Sequence, residues 1–253
     1  MPGPGLSLVV PAYDEAARLD ETLRRIDEFA PACPRGPLEL ILVDDGSQDD
    51  TLGRMRAFAA GRPWVRVLDC AHRGKAASVT SGMLATTGEL ALFSDADLSV
   101  PLEDTALLVA AIEAGADVAI GSREVAGAKR EAEPGYRHLL GRGFNGLVRA
   151  LVLDGIQDTQ CGFKLFKGPA ARDIFSRLRR YGPDAPVISG PMVTAFDVEV
   201  LVIARRLGLR VAEVPVRWTH ARGSKVRPVV DALRMARDVA QVKLGLLRGE
   251  YGA

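Results

Sequence analysis

The strongest constraint on this chain is a rhythm in its first half. Short apolar runs at residues 6–10, 38–43, 65–68, 90–93 and 118–120 alternate with longer amphipathic stretches at about residues 15–29, 50–60, 75–85 and 102–113. Runs so short and so apolar suit strands buried on both faces, and the stretches between them suit helices. The alternation predicts βαβ units around a mostly parallel sheet. Right-handed crossovers would set the helices on both faces, which is a doubly wound, Rossmann-like α/β fold.

The second half is less regular. Its pattern predicts helices at about 136–152, 169–178, 196–207 and 228–247, a short segment at 162–166 and strands within 211–218, with a Pro/Gly-rich loop at 182–191. Lys129-Arg130-Glu131-Ala132-Glu133 reads as a mobile, solvated charged loop. No linker or repeat interrupts the 253 residues, so a single domain is expected, with a regular half at 1–125 and a less regular half at 126–253 that ends in an amphipathic helix.

Composition removes several classes. Thirty-three basic against 32 acidic side chains leave a formal charge of +1, so nothing global calls for nucleic acid. Three widely spaced cysteines, Cys33, Cys70 and Cys161, suggest neither a disulfide framework nor a zinc site, and fit a reducing cytoplasm. His72, His138 and His220 are scattered and read as surface or loop residues rather than metal ligands. No apolar run approaches the roughly 18 residues of a spanning helix, and the start lacks the regions of a signal peptide.

Ligands of open α/β sheets bind outside the carboxyl ends of the strands, and the polar motifs fall there. Pro11-Ala12-Tyr13-Asp14-Glu15 follows the first run and Asp44-Asp45-Gly46-Ser47 the second. Carboxylates at neighbouring strand ends can accept hydrogen bonds from ribose hydroxyls and base N–H groups, although Asp44-Asp45-Gly46-Ser47 also reads as a turn with a helix cap. Ser94-Asp95-Ala96-Asp97 puts two carboxylates one residue apart after the fourth run. One can hold a divalent ion while the other reaches the sugar or ribose, and such an ion would neutralise a departing diphosphate.

These motifs, with Arg73-Gly74-Lys75 and Gly121-Ser122-Arg123, resemble in kind and order the family 2 glycosyltransferases of the GT-A fold. Further on, the stretch from Ile156 to Phe166 (IQDTQCGFKLF), then Ala195-Phe196-Asp197-Val198-Glu199, then Trp218 followed by Gly223-Ser224-Lys225, is similar to the dolichyl-phosphate β-glucosyltransferase branch, a relative of the dolichyl-phosphate mannose synthases. The resemblance implies a nucleoside pocket lined by Pro11, Ala12, Tyr13, Glu15, Leu42 and Asp44. Asp95 and Ala96 would lie beside the ribose, Asp97 with Asp95 would bind the metal, Arg123, Ser224 and Lys225 would approach the phosphates, and Lys75 and Ser94 would belong to the same donor site. Residues 1–125 would then be the nucleotide-sugar-binding half and 126–253 the acceptor-binding half. This chain departs from relatives at Ser99, where several carry a glutamine metal contact, and at Thr219, where mannose synthases carry an arginine that Arg217 or Arg222 would have to replace.

A phosphate acceptor is already ionised at neutral pH, so its attack on the anomeric carbon needs positioning and charge neutralisation more than a strong base. Lys164, Arg123 and Arg149 are the candidate cations, Lys164 standing where mannose synthases usually have arginine. Asp158 has three open readings: orienting the acceptor, acting as base toward a hydroxyl acceptor, or capping a turn. Asp197 reads as a helix cap, while Glu199 is a candidate to face the site. Two stretches, 136–152 and 228–247, mix arginines with large apolar residues as an interfacial helix does, and equally as a helix packed on its own core.

The expectation is therefore a metal-dependent (Mg²⁺ or Mn²⁺), inverting hexosyltransferase, glucose first. It would use a UDP-glucose or GDP-mannose type donor and a polyprenyl phosphate acceptor, in the cytoplasm or peripheral on the cytoplasmic membrane face. Its rivals are the same donor chemistry with a soluble hydroxyl acceptor, and a nucleotide-sugar binding module without catalysis.

Overall fold

The computed structural model describes residues 3–131, 135–182, 185–190, 192, 194–220 and 228–251, with the backbone path alone at 136–140, 228–230 and 232. The rhythm of the first half folds as expected into β1 (Leu6–Ala12), α1 (Ala16–Phe29), β2 (Leu38–Asp44), α2 (Thr51–Ala59), β3 (Val65–Asp69), α3 (Lys75–Leu84), β4 (Leu90–Ser94), α4 (Thr105–Glu113) and β5 (Val118–Ser122). The second half adds β6 (Lys129–Glu131), α5 (Gly135–Leu151), β7 (Phe163–Lys167), α6 (Gly168–Ser176), α7 (Phe196–Arg206), β8 (Val211–Pro215), β9 (Arg217–Thr219) and α8 (Pro228–Leu247).

Seven strands form one sheet in the order β3-β2-β1-β4-β7-β5-β8. β1, β2, β3 and β4 are mutually parallel, and β5 pairs parallel with β8. β7 alone runs against its neighbours β4 and β5. From β1 the chain winds outward to β3, then returns to place β4 on the other side of β1. The reversal of strand order lies between β1 and β4, which is where doubly wound sheets bind ligands.

Each face of the sheet carries its own core. Leu6, Leu8 and Val10 of β1 pack with Leu19, Leu23 and Ile26 of α1, Met55 of α2 and Leu108 and Ile112 of α4. Val9, Ile41, Val43, Phe93 and Phe166 pack on the opposite face with Val79 and Met83 of α3, Ile174 and Phe175 of α6, much of α7, and Val239 and Val242 of α8. Strands flanked on both sides must be apolar throughout, so β1 and β2 are buried at every residue.

One expectation is corrected here and one is made definite. The charged stretch at 129–131 is no mobile loop: it is β6, paired parallel with β9, with Lys129 N–H also donating to Val216 O. Its charge pattern hid the strand because this two-stranded ribbon is exposed and needs no apolar face. The segment at 162–166 is β7, inserted antiparallel into the middle of the sheet, where its Phe163, Leu165 and Phe166 are fully buried.

Candidate functional site

β1 ends at Ala12, and the turn that follows is tied down from the neighbouring β2–α2 loop. Asp14 N–H donates to Ser47 Oγ at 3.0 Å, Glu15 N–H to Thr51 Oγ1 at 2.8 Å and Ala16 N–H to Asp49 Oδ2 at 3.1 Å. These bonds satisfy the first amides of α1, for which no local cap exists. Asp14 itself adopts φ 49°, in the left-handed region. The matching turn after β4 contains Leu98 at φ 46°, a conformation costing a branched side chain on the order of 1 kcal/mol or more. Leu98 is nevertheless held there by burial in the core. Left-handed residues thus shape the turns on both sides of the strand-order reversal.

Between these turns lies a cavity of about 240 Å³ lined by Pro11, Ala12, Tyr13, Glu15, Arg18, Asp45, His72, Gly74, Lys75, Asp95, Ala96, Asp97 and Met192. Of the residues expected in the donor site, Pro11, Ala12, Tyr13, Glu15, Lys75, Asp95, Ala96 and Asp97 meet at its wall. Leu42, Asp44 and Ser94 do not: Leu42 is fully buried in the sheet, and Ser94 is buried at the end of β4. Asp44 Oδ2 accepts from Ser47 N–H at 3.0 Å, a turn bond, and its neighbour Asp45 lines the cavity. The second oxygen, Asp44 Oδ1, is buried without a hydrogen-bond partner among the described residues. Ser224, Lys225 and Arg222 lie outside the described residues.

The acidic pair is electrostatically loaded. Burial and the neighbouring Asp95 raise the Asp97 carboxyl above the ordinary value, against the pull of its bonds with Ser99 and of Lys75. Lys75, at the first position of α3, forms an ion pair with Asp95 Oδ1. Contact there lacks hydrogen-bond geometry, so this buried oxygen keeps an unused lone pair. Burial opposes the charge on Lys75, but Asp95, Asp197 and Asp97 together hold its pKa above the usual value. No group of three or more His, Cys, Asp or Glu is arranged to hold a metal among the described residues. Two hard carboxylates that repel one another suit a divalent cation whose remaining ligands come from phosphate oxygens and water.

The motifs from the second half adjoin this site from β5 and β7: Asp197 acts on Lys75, and Gly162 lies against the Asp95 carboxylate. Asp158 is fully buried and takes both Nε and Nη2 of Arg123, at 2.7 and 2.9 Å, plus Arg123 N–H at 3.0 Å. Burial works against this charge, but Arg123 and, more weakly, Lys164 lower the Asp158 carboxyl to about 2. Arg123 is further covered by the Trp218 ring at 5.3 Å. Lys164 is fully buried on β7, donating to Asp197 and to Cys161 O. Arg149 binds Gln157, and Arg217 binds Asp104 at 2.6 and 2.9 Å. Glu199 turns away from the cavity to accept from Arg179 N–H at 3.0 Å and Tyr251 O–H at 2.9 Å, which corrects its expected orientation.

Sequence reasoning missed Arg18, Asp45, Gly74, Met192 and above all His72. His72 is a half-buried wall of the cavity rather than a surface residue, stacked on Tyr13 with ring centres 3.9 Å apart. Its position before Arg73-Gly74-Lys75 was the available signal, since that motif opens α3 at the cavity.

Comparison with known proteins agrees with this geometry. A family model described as glycosyl transferase family 2 matches residues 7–175. The chain is 37% identical over 264 residues to a dolichyl-phosphate β-glucosyltransferase from Drosophila melanogaster, an alignment covering 97% of this chain and 76% of the relative. Among solved structures, glucosyl-3-phosphoglycerate synthase from Mycobacterium tuberculosis, in complex with Mn²⁺, UDP and glucosyl-3-phosphoglycerate, superposes with TM-score 0.62 at 22% identity, over 96% of this chain and 80% of that one. Mannosyl-3-phosphoglycerate synthase from Rubrobacter xylanophilus gives 0.65 at 18%, over 98% and 75%. Both share the GT-A fold, a mostly parallel sheet flanked by helices.

Proposed function

The chain belongs to glycosyltransferase family 2, and from that premise we propose that it transfers a hexosyl group, glucose first, from a nucleoside diphosphate sugar to a polyprenyl phosphate with inversion at the anomeric carbon. One observation carries the reading: the Asp95–Asp97 pair stands at the end of β4, beside Lys75, on a cavity at the strand-order reversal. Similarity to dolichyl-phosphate β-glucosyltransferases supports the acceptor and the sugar.

In this reading the cavity takes the nucleoside diphosphate, with Tyr13, Glu15 and Asp45 around the nucleoside and Asp95 and Ala96 beside the ribose. Asp97, with Asp95, would hold Mg²⁺ or Mn²⁺, which supplies charge neutralisation for the departing diphosphate. Lys75 supplies a fixed positive charge at the same oxygens. Residues 126–253 carry the acceptor side, where Asp158 holds Arg123 in one orientation so that part of its guanidinium can face the acceptor phosphate. With all its described bonds going to Arg123 and backbone, Asp158 acts as a positioning residue and no general base is required.

No helix among the described residues is long and apolar enough to cross a membrane. Lipid access is proposed through α5 and α8, whose inner faces pack in the core through Val148, Val239 and Val242 while Leu147, Leu151, Leu233, Leu244 and Leu247 stay exposed. The testing experiment is titration of UDP- and GDP-sugars with Mn²⁺, followed by a product assay with the tighter donor and a short polyprenyl phosphate. A lipid-linked product is expected. Donor hydrolysis without lipid product would overturn the acceptor assignment and favour a soluble acceptor.

A further inference from the structure

His72 makes more contacts than a wall residue needs. Its Nδ1 lies 2.8 Å from Asp45 Oδ2 and 2.9 Å from Asp45 O, and its Nε2 lies 3.0 Å from Gly190 O. Every one of these partners is an acceptor. Asp45 is buried and already accepts from Arg73 N–H at 2.9 Å and Gly74 N–H at 3.0 Å, so its carboxylate has no proton to give. A neutral imidazole carries one N–H and one lone pair, and can satisfy only one side. Both contacts are hydrogen bonds only when the ring is the imidazolium.

The second partner belongs to a segment far away in the chain. Residues 185–190 are tied to the His72 loop at two further points: Ile188 N–H donates to His72 O at 2.8 Å, and Arg73 donates to Ala185 O. Gly74 has φ 91°, which strains any side chain, and a Cβ there would crowd Met192 Cε at 3.2 Å and Ile188 Cδ1 at 3.3 Å, so both residues pack against it. Met192 itself lines the cavity. The ring therefore joins the ends of β1 and β2, through Tyr13 and Asp45, to a stretch contributed by the second half of the chain.

We propose that His72 is a positioning residue of the donor pocket: as an imidazolium it clamps the 185–190 segment to the loop between β3 and α3 at the cavity wall, and donor binding weakens when the ring loses its proton. The facing groups set which bond is lost. Asp45 from the end of β2 faces Nδ1, Arg73 and Lys75 follow His72 in the chain, Tyr13 stacks on the ring face, and Glu15 and Arg18 on the same wall pair with each other at 2.7 Å. The segment itself, Ala185-Pro186-Val187-Ile188-Ser189-Gly190, brings no titratable side chain. Deprotonation leaves the proton on Nδ1 beside the carboxylate and turns the Nε2 lone pair on Gly190 O, so the segment is released and Asp45 is kept. The donor role of this pocket rests on the proposed function; the clamp itself does not.

The test uses the full chain, with ¹⁵N imidazole NMR and amide exchange followed from about pH 5.5 to about pH 8.5. Disappearance of one of the three histidine signals in His72→Phe, which keeps a ring for the Tyr13 stack but has no N–H, identifies the clamp residue. Both nitrogens should be protonated at the acid end, and loss of the Nε2 proton should coincide with loss of Ile188 amide protection, corrected for intrinsic exchange. Losing one charged hydrogen bond should raise the dissociation constants of UDP or GDP about tenfold across the range. The terminal phosphate of the nucleotide itself titrates near about pH 6, so His72→Phe is the control and should bind weakly with only that residual slope. A ring neutral throughout with Ile188 still protected, or an unchanged pH slope in His72→Phe, overturns the clamp. A ring that titrates with release of the segment, but no nucleotide binding at any pH, upholds the clamp and overturns the donor-site reading.

Discussion

The mouth of the sheet beyond β1 and β4 and the mouth beyond β5 use the same residue type to opposite ends. Beyond β4, Asp97 is pushed toward protonation by burial and by Asp95, and Asp95 retains a buried oxygen outside any hydrogen bond. Beyond β5, Asp158 is buried as deeply yet lowered to about 2, because Arg123 answers its charge with two side-chain bonds and a backbone one. A carboxylate pair answered by one lysine has room for a cation, whereas a carboxylate closed by a bidentate arginine is a fastening. Burial alone separates neither case; the partner count does.

This contrast can be broken by substitution. Asp97→Ala should lower turnover on the order of thousandfold or more and abolish metal-dependent donor binding, because it removes charge neutralisation at the leaving group. Steady-state product formation and calorimetry with Mn²⁺ would check it; wild-type turnover would refute the assignment. Asp158→Ala should instead act first on stability, by about 3–5 kcal/mol in urea unfolding, because it strands the partly buried Arg123 guanidinium. A variant as stable as wild type yet inactive would show that Asp158 has direct chemistry after all. The Asp158 carboxyl is lower in the folded state than the unfolded value of about 4, so its contribution is fully present above that pH and is lost as pH falls through about 2. An acid titration of wild type against Asp158→Asn should show that loss in the wild type alone.

Smaller effects sharpen the same division. Gly46 has φ 70°, and a Cβ there would meet His72 N at 2.7 Å. Gly46→Ala should therefore cost about 1–3 kcal/mol and weaken nucleotide binding as well, since the strain falls on the cavity wall. Tyr251→Phe, far from the cavity, removes one bond to buried Glu199 and should cost about 1 kcal/mol in thermal unfolding while turnover stays unchanged. A turnover defect in that variant would tie the Glu199 cluster to catalysis.

The two mouths also differ in how far they could be read from residues. In the first half each motif directly follows an apolar run, so strand-end position and chemistry coincide; the wall carried by Tyr13, Glu15, Lys75, Asp95 and Asp97 was legible for that reason. In the second half Asp158, Lys164 and Asp197 are charged residues in an irregular stretch. Asp158 pairs with Arg123 just beyond β5, and Lys164 of β7 pairs with Asp197 of α7, links that no local pattern shows. β7 was visible only as a short segment, because an antiparallel strand inserted between β4 and β5 has the same apolar signature as a parallel one. His72 carried no motif of its own and gained its role when Tyr13, Asp45 and Gly190 converged on it.

Period and composition by themselves determined the α/β alternation, the buried strands and the acidic strand ends, because these depend on residues a few positions apart and on burial that affects a whole run. Tertiary structure alone decided which charges are answered. A carboxylate's ionisation and a histidine's proton depend on partners within about 3 Å, and those partners, Arg123 for Asp158 and Gly190 for His72, lie 35 and 118 residues away.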